Sequence, residues 1–233
     1  GLKVEVISGD QEAELGFQGV TTDPQLGQTP LLLMDVGGGS AQFTFGRDGH
    51  TRFRHSFPLG SVRLLETFPC SDPPQPAELA ACRQWLKHFL QTEVRPEVMP
   101  EMGGSKQRPE IRGQRSEADQ SLLTSAATGS GGEVQLVGGG GAATILACME
   151  AKLEAFDRAR IEATRLSAAQ VAWHLERLWS LPLEERKKIT GLPRNRADVI
   201  LMGVAIYQAV MEEFGFRELR VSTRGLRFAA VMD

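Results

Sequence analysis

Apolar and polar positions alternate with a two-residue period in LKVEVI (2–7), which predicts a strand. SGDQEAEL (8–15) then opens a short helix: Ser8 and Gln11 have the spacing of a capping box, and Asp10 and Glu12 fall in a first turn, where the helix dipole favours acids. TTDPQLGQTP (21–30) reads as a loop. Three strand candidates follow at 30–36, 41–46 and 51–57, the last two joined through Asp48-Gly49, a strong hairpin signal. In AQFTFG, Ala41, Phe43 and Phe45 share one face while Gln42 and Thr44 share the other. LLLM (31–34) has no polar face, which predicts a central strand covered on both sides.

Residues 60–67 suit a short helix, and 72–96 form an amphipathic helix bounded by prolines. Residues 101–132 are polar and rich in Gly and Ser, the composition of a flexible insertion rather than a domain. EVQLVGGGGAATILACMEAKLEAF (133–156) reads as strand, glycine turn and helix, and SAAQVAWHLERLWSL and PLEERKKITG read as further helices. The apolar run 197–215 predicts a buried helix; Gly203 and Gln208 interrupt it, and it is too short to span a bilayer. RELRVS (217–222) closes with a strand, and TRGLRFAAVM suits a short terminal helix. A meander followed by strands alternating with helices predicts an α/β protein, a mixed sheet covered by helices.

The chain has 233 residues, 41% hydrophobic and 24% charged, enough for one large domain or two small ones with a real core. A net charge of −3 gives no global bias toward nucleic acid or acidic membranes, and neither is expected as a partner. Basic residues recur late (Arg194, Arg196, Arg217, Arg220, Arg224, Arg227), which leaves a local anionic site open beside the plainer reading of a solvated basic surface. Cys70, Cys82 and Cys148 form no CxxC or metal-ligand spacing, which points to a reducing, cytoplasmic setting. His50, His55, His88 and His174 are scattered, with no nucleophile beside a base. His174 reads as a surface or packing residue, and Trp173 and Trp179 as helix-packing residues.

The chemistry lies in two glycine turns. DVGGGS (35–40) ends the central strand; successive N–H groups without Cβ atoms make a concave anion site, and Asp35 adds a hard oxygen for a Mg²⁺ ion. Ser40 can donate to a phosphate oxygen. Taken alone, the stretch equally suits a tight hairpin turn. VGGGGAA (137–143) also follows a strand and precedes a helix, whose N-terminus offers free N–H groups. Two such turns fit a cleft gripping a phosphate chain from both sides. Neither matches G-x-x-x-x-G-K-[ST], and DVGGGS runs into a strand, unlike a dinucleotide fingerprint.

SGDQEAELGFQGV resembles the S-G-x-E-E-A segment of a known family, MDVGGGSAQ its D-[IV]-G-G-G-S-T-E, FPLGSVRL its lplGavrl, and VGGGGAAT its G-x-[SG]-G-T turn. RADVILMG and VSTRGLRFA resemble its R-A-D-x-[IL]-x-x-G and S-x-x-G-L-R-E-G segments. In this order, over nearly the whole chain, they resemble the exopolyphosphatase/guanosine pentaphosphate phosphohydrolase (Ppx/GppA) family. The resemblance implies an actin-like (ribonuclease H-like) ATPase fold, with a mixed five-stranded sheet covered by helices as one lobe of a two-lobed domain. It implies Mg²⁺-dependent release of terminal phosphate from inorganic polyphosphate or pppGpp in the cleft between lobes. Residue by residue, it makes Glu12 the catalytic glutamate and Asp35 the metal-associated acid. Gly37, Gly38, Gly39 and Ser40 become the phosphate loop, and Gly138 and Gly141 belong to the later turn. Without the resemblance, Glu12 reads first as a capping or dipole partner.

The chain also departs from that pattern. The family's opening D-x-G-S-N-S segment has no counterpart, and the first residue is Gly1, so residues 1–233 are expected to be the second lobe without the first. Such a lobe holds half a phosphate site and is expected to be inactive alone, and a homodimer is the self-association expected of it. Ala41 and Gln42 stand where the family has T-E, Ala142 where it has Thr, and Phe228-Ala229 where it has E-G. A non-hydrolysing module that binds phosphate or nucleotide is therefore the alternative. A sugar- or acetate-kinase lobe fits the S-G-x-x-E-A and RADVILMG segments less well.

Overall fold

The computed structural model describes residues 7–103 and 133–229. The strand expected at 2–7 and the insertion expected at 101–132 lie almost wholly outside the described residues. Helix α1 (Gly9–Thr21) begins as its sequence predicts: Gln11 N–H donates to Ser8 Oγ at 3.2 Å, and Ser8 N–H donates back to Gln11 Oε1 at 2.8 Å. Strands β1 (Leu31–Val36), β2 (Ala41–Arg47) and β3 (His50–Phe57) form the antiparallel meander. Asp48 and Gly49 turn the hairpin with φ of 53° and 74°, the double positive φ that Asp-Gly tolerates.

Helix α2 (Ser61–Thr67) is followed by α3 (Pro76–Phe89), a π-helical turn at Leu90–Val94 and α4 (Arg95–Val98). The helix expected over 72–96 thus starts at Pro76 and runs on to Val98 through one π-helical turn, just before Pro96, which has no N–H to continue the ladder. Next come β4 (Gln135–Gly139), α5 (Gly140–Glu150), α6 (Arg158–Ala163), β5 (Arg165–Ser167), α7 (Ala168–Ser180) and α8 (Leu183–Arg186). Helix α9 (Ile200–Phe214) stops at Gly215, a left-handed cap with φ 74°, before β6 (Glu218–Val221) and α10 (Leu226–Ala229). Among the described residues no helix is long and apolar enough to cross a membrane.

The described sheet has six strands, not five, in the order β3-β2-β1-β4-β6-β5. The unforeseen member is β5, three residues that pair antiparallel with β6 and are too short to carry an alternation. Strands β1, β4 and β6 are parallel, so their C-terminal ends share one edge of the sheet. β1 is central, as its apolar run demands. Leu31 and Leu33 pack on one face with Phe17 and Val20 of α1, while Leu32 and Met34 join the larger core with α5, α7 and α9 on the other. Asp35 continues the first series, so strand alternation turns it toward α1.

Tyr207, the only tyrosine in the chain, is fully buried on α9. Its Oη lies 3.0 Å from the carbonyl of Met34 and 3.2 Å from that of Gly139, so one O–H is shared between the ends of β1 and β4. Burial, aided by the Asp35 charge, pushes its phenol well above the ordinary range, which keeps it a donor. Tyr207→Phe should therefore cost about 1 kcal/mol of stability, measured by denaturant unfolding.

Candidate active site

The parallel register of β1 and β4 sets Asp35 opposite Gly139, and so brings the two glycine turns together at the C-terminal edge of the sheet. In open α/β sheets this edge is where ligands bind. The first turn is braced from one side. Gly37 O accepts from Ser61 N–H at 2.9 Å, Gly38 O from Val62 N–H at 2.9 Å, and Gly39 O from the Arg63 guanidinium at 2.8 Å. Gly60 permits that docking, because a Cβ there would overlap Gly38 O. With its carbonyls committed to α2, the loop keeps its donors: among the described residues the N–H groups of Gly38, Gly39 and Ser40 have no acceptor. Such a run of free donors forms an anion-binding concavity.

The second turn opens α5, whose N-cap, Gly139, has no side chain to occupy the helix's first N–H groups. Gly140 is fixed as glycine twice over, by a φ of 70° and because a Cβ would overlap Asp35 Oδ1. Gly141 has open space around it. Gly138 plays a different part: it is buried within β4, and a Cβ would lie 2.8 Å from that of Ala143 and 3.2 Å from the Tyr207 ring, so it permits close packing. A hollow of about 130 Å³ runs between the turns, lined by Gly37, Gly38, Ser61, Gly141, Ala142 and Arg196. Arg196 is the cation there; in the sequence it stood among the late basic residues and opened the RADVILMG segment. Its neighbours in that series have other roles: Arg220 is buried against Asp23 at 2.8 Å, and Arg224 lies 3.5 Å from Glu162 and faces the Phe228 ring.

The acids lie on the α1 side of the same edge. Glu12 stands in the first turn of α1, exposed, and Gln42 of β2 pairs in register with Asp35. The Gln42 amide is buried, and its Nε2 lies 3.0 Å from Ser40 Oγ, 3.3 Å from Glu12 Oε2 and 3.4 Å from Ser56 Oγ. Asp35 accepts no side-chain hydrogen bond among the described residues. Burial first, and the Glu12 charge second, push its carboxyl up from 3.8 to about 6. A carboxylate left unsatisfied at a strand end, with an acidic neighbour, suits a cation. Mg²⁺ is held by one or two carboxylates plus substrate phosphates, and Asp35 with Glu12 matches that donor set.

Other expectations sort differently. His174 packs as expected, buried with Nε2 2.8 Å from Glu150 Oε2; burial lowers its pKa against the pull of Glu150. Trp173, expected to pack, is 56% exposed at a larger hollow of about 350 Å³, with Arg177 over its ring. That hollow includes no residue of either glycine turn.

Compared with known proteins, residues 1–108 and 110–232 match the model of the Ppx/GppA phosphatase family. The chain belongs to the Ppx/GppA phosphatase family. Exopolyphosphatase 2 of Mycobacterium tuberculosis is 27% identical over 226 residues, 95% of this chain and 61% of that protein. Exopolyphosphatase 1 of the same organism is 28% identical over 234 residues, 100% of this chain and 58% of that protein. The Aquifex aeolicus PPX-GPPA enzyme superposes with a TM-score of 0.77 at 27% identity, covering 99% of this chain and 65% of that one. The chain therefore spans about three fifths of the curated relatives' length. The match bears out the actin-like α/β fold expected from the Ppx/GppA resemblance.

The Asp35 carboxyl gives a stability test in divalent-free buffer. Folding raises its pKa, so between 3.8 and about 6 the folded chain binds more protons than the unfolded chain. Its contribution is best at low pH and is lost as pH rises through about 6. Asp35→Asn should thus stabilise the fold at pH 7 by about 1–3 kcal/mol, with the gain shrinking toward zero near pH ~4. Thermal or urea melts at the two pH values measure it.

Proposed function

We propose that the protein carrying this chain is a Mg²⁺-dependent phosphoanhydride hydrolase that releases terminal phosphate from inorganic polyphosphate or pppGpp. The chain would supply the second of two lobes. The observation that carries this reading is the pairing of two donor-rich glycine turns with Glu12 and Asp35 at one sheet edge. The Mycobacterium tuberculosis relatives are named exopolyphosphatases, which supports the polyphosphate reading.

In this mechanism the free N–H groups of residues 38–40 and of the α5 N-terminus hold the phosphoryl oxygens and bind the charge that builds on them. The Ser40 hydroxyl donates to a phosphate oxygen, and Arg196 balances the charge of the chain beyond. Glu12, steadied by the Gln42 amide, orients the attacking water and takes its proton as the new P–O bond forms. Asp35 would hold a Mg²⁺ ion, whose positive charge would offset the negative charge on the phosphoryl oxygens. Gly138 supports the second turn from beneath.

Phosphate release from polyphosphate and from pppGpp by the full-length gene product tests the reading. Release should need Mg²⁺ and stop with a chelator, and Glu12→Ala should lower kcat by about 10²–10⁴-fold. Residues 1–233 alone should bind phosphate chains without turning them over, because half of the positioning is supplied elsewhere. A folded full-length protein that releases phosphate from neither substrate would leave a phosphate grip without turnover.

A further inference from the structure

Gln42 is a buried polar group whose amide faces three oxygens of the site. Its Nε2 carries two hydrogens and faces three oxygens, those of Ser40, Glu12 and Ser56. The orientation of the amide is set by chemistry, because the Glu12 carboxylate only accepts and must face the donor end. Gln42 also lies across from Asp35 in the β1–β2 register, so it borders both acids of the site. Among the described residues no three His, Cys, Asp or Glu side chains converge on one point where a metal could sit. Beside Glu12 and Asp35 stands a neutral donor, the Gln42 amide.

Two consequences follow. A donor fixes Glu12 and Ser40 relative to one another, whereas a carboxylate in that place would repel Glu12. Mg²⁺ dehydrates reluctantly, and a site with one or two carboxylates usually binds it together with substrate phosphates. A phosphate chain brings the remaining oxygens.

We infer that Gln42 sets how the divalent cation enters this site: it positions Glu12 and Ser40 and leaves too little negative charge for the free ion, so the cation enters as its polyphosphate complex. The inference rests on the site being a polyphosphate site, as proposed above. Gln42 is a positioning residue, acting through Glu12 and Ser40.

Equilibrium dialysis of the full-length protein tests this, with Mn²⁺ as the probe and imidodiphosphate as a phosphate chain that resists hydrolysis. Wild type should retain Mn²⁺ only when imidodiphosphate is present. Gln42→Glu should retain Mn²⁺ alone, roughly tenfold or more tightly than wild type. Gln42→Met, which keeps the volume without a donor, should leave Mn²⁺ retention weak but lower kcat about tenfold or more with little change in KM. Wild-type retention of Mn²⁺ alone as tight as with imidodiphosphate overturns the inference, even where Gln42→Glu fails to fold. So does equal Mn²⁺ affinity in wild type and Gln42→Glu, and a wild-type kcat in Gln42→Met overturns the positioning role. Failure to retain imidodiphosphate with or without Mn²⁺ overturns the polyphosphate reading instead, and the Mn²⁺-alone comparison still decides the role of Gln42.

Discussion

The parallel register between β1 and β4 is the constraint on which the site depends. It sets Asp35 level with Gly139, so that the turn after each strand leaves the sheet at the same height. A slip of one residue would reverse the face that Asp35 presents and separate it from α1. Tyr207 ties the two strands by sharing its hydroxyl between the carbonyls of Met34 in β1 and Gly139 at the end of β4. Glycine then does at Gly60 and Gly140 what no other residue could, letting α2 dock on the first turn and Asp35 lie against the second.

The arrangement stores charge at a cost. Asp35 is desolvated, lacks a side-chain donor among the described residues, and faces Glu12, so folding alone does not favour its ionised form. The neighbouring turns offer free N–H groups, the Gln42 amide lies beside Glu12, and Arg196 lines the hollow between the turns. An acid raised in pKa beside a nest of donors suits a ligand that carries both negative oxygens and a cation. This is stability given up for function, as is common where a site must bind charge.

Much of this was legible in the residues. The meander, the Ser8 capping box, the Asp48-Gly49 hairpin and the doubly covered β1 follow local rules that tertiary contacts do not override here. Both glycine turns were visible as turns. Their meeting was not, because register between β1 and β4 is a long-range property of strands separated by about a hundred residues. The contacts of Gln42 with Glu12, Ser40 and Ser56, and the place of Arg196 between the turns, were hidden for the same reason. Gln42 reads as the polar face of an alternating strand, a face that α1 covers, and Arg196 reads as one arginine among several. The R-A-D spacing was the one local signal for Arg196. β5 was missed because three residues carry no period, and the π turn before α4 because its cause, Pro96, also looks like a plain helix end.

The central claim is that both glycine turns grip one phosphate chain. ¹⁵N-glycine labelling of the full-length protein, titrated with imidodiphosphate and followed by two-dimensional NMR, addresses it most directly. The amide signals of Gly38, Gly39, Gly140 and Gly141 should shift together along one saturation curve. Shifts confined to one turn, or two turns saturating at different concentrations, would contradict a shared cradle.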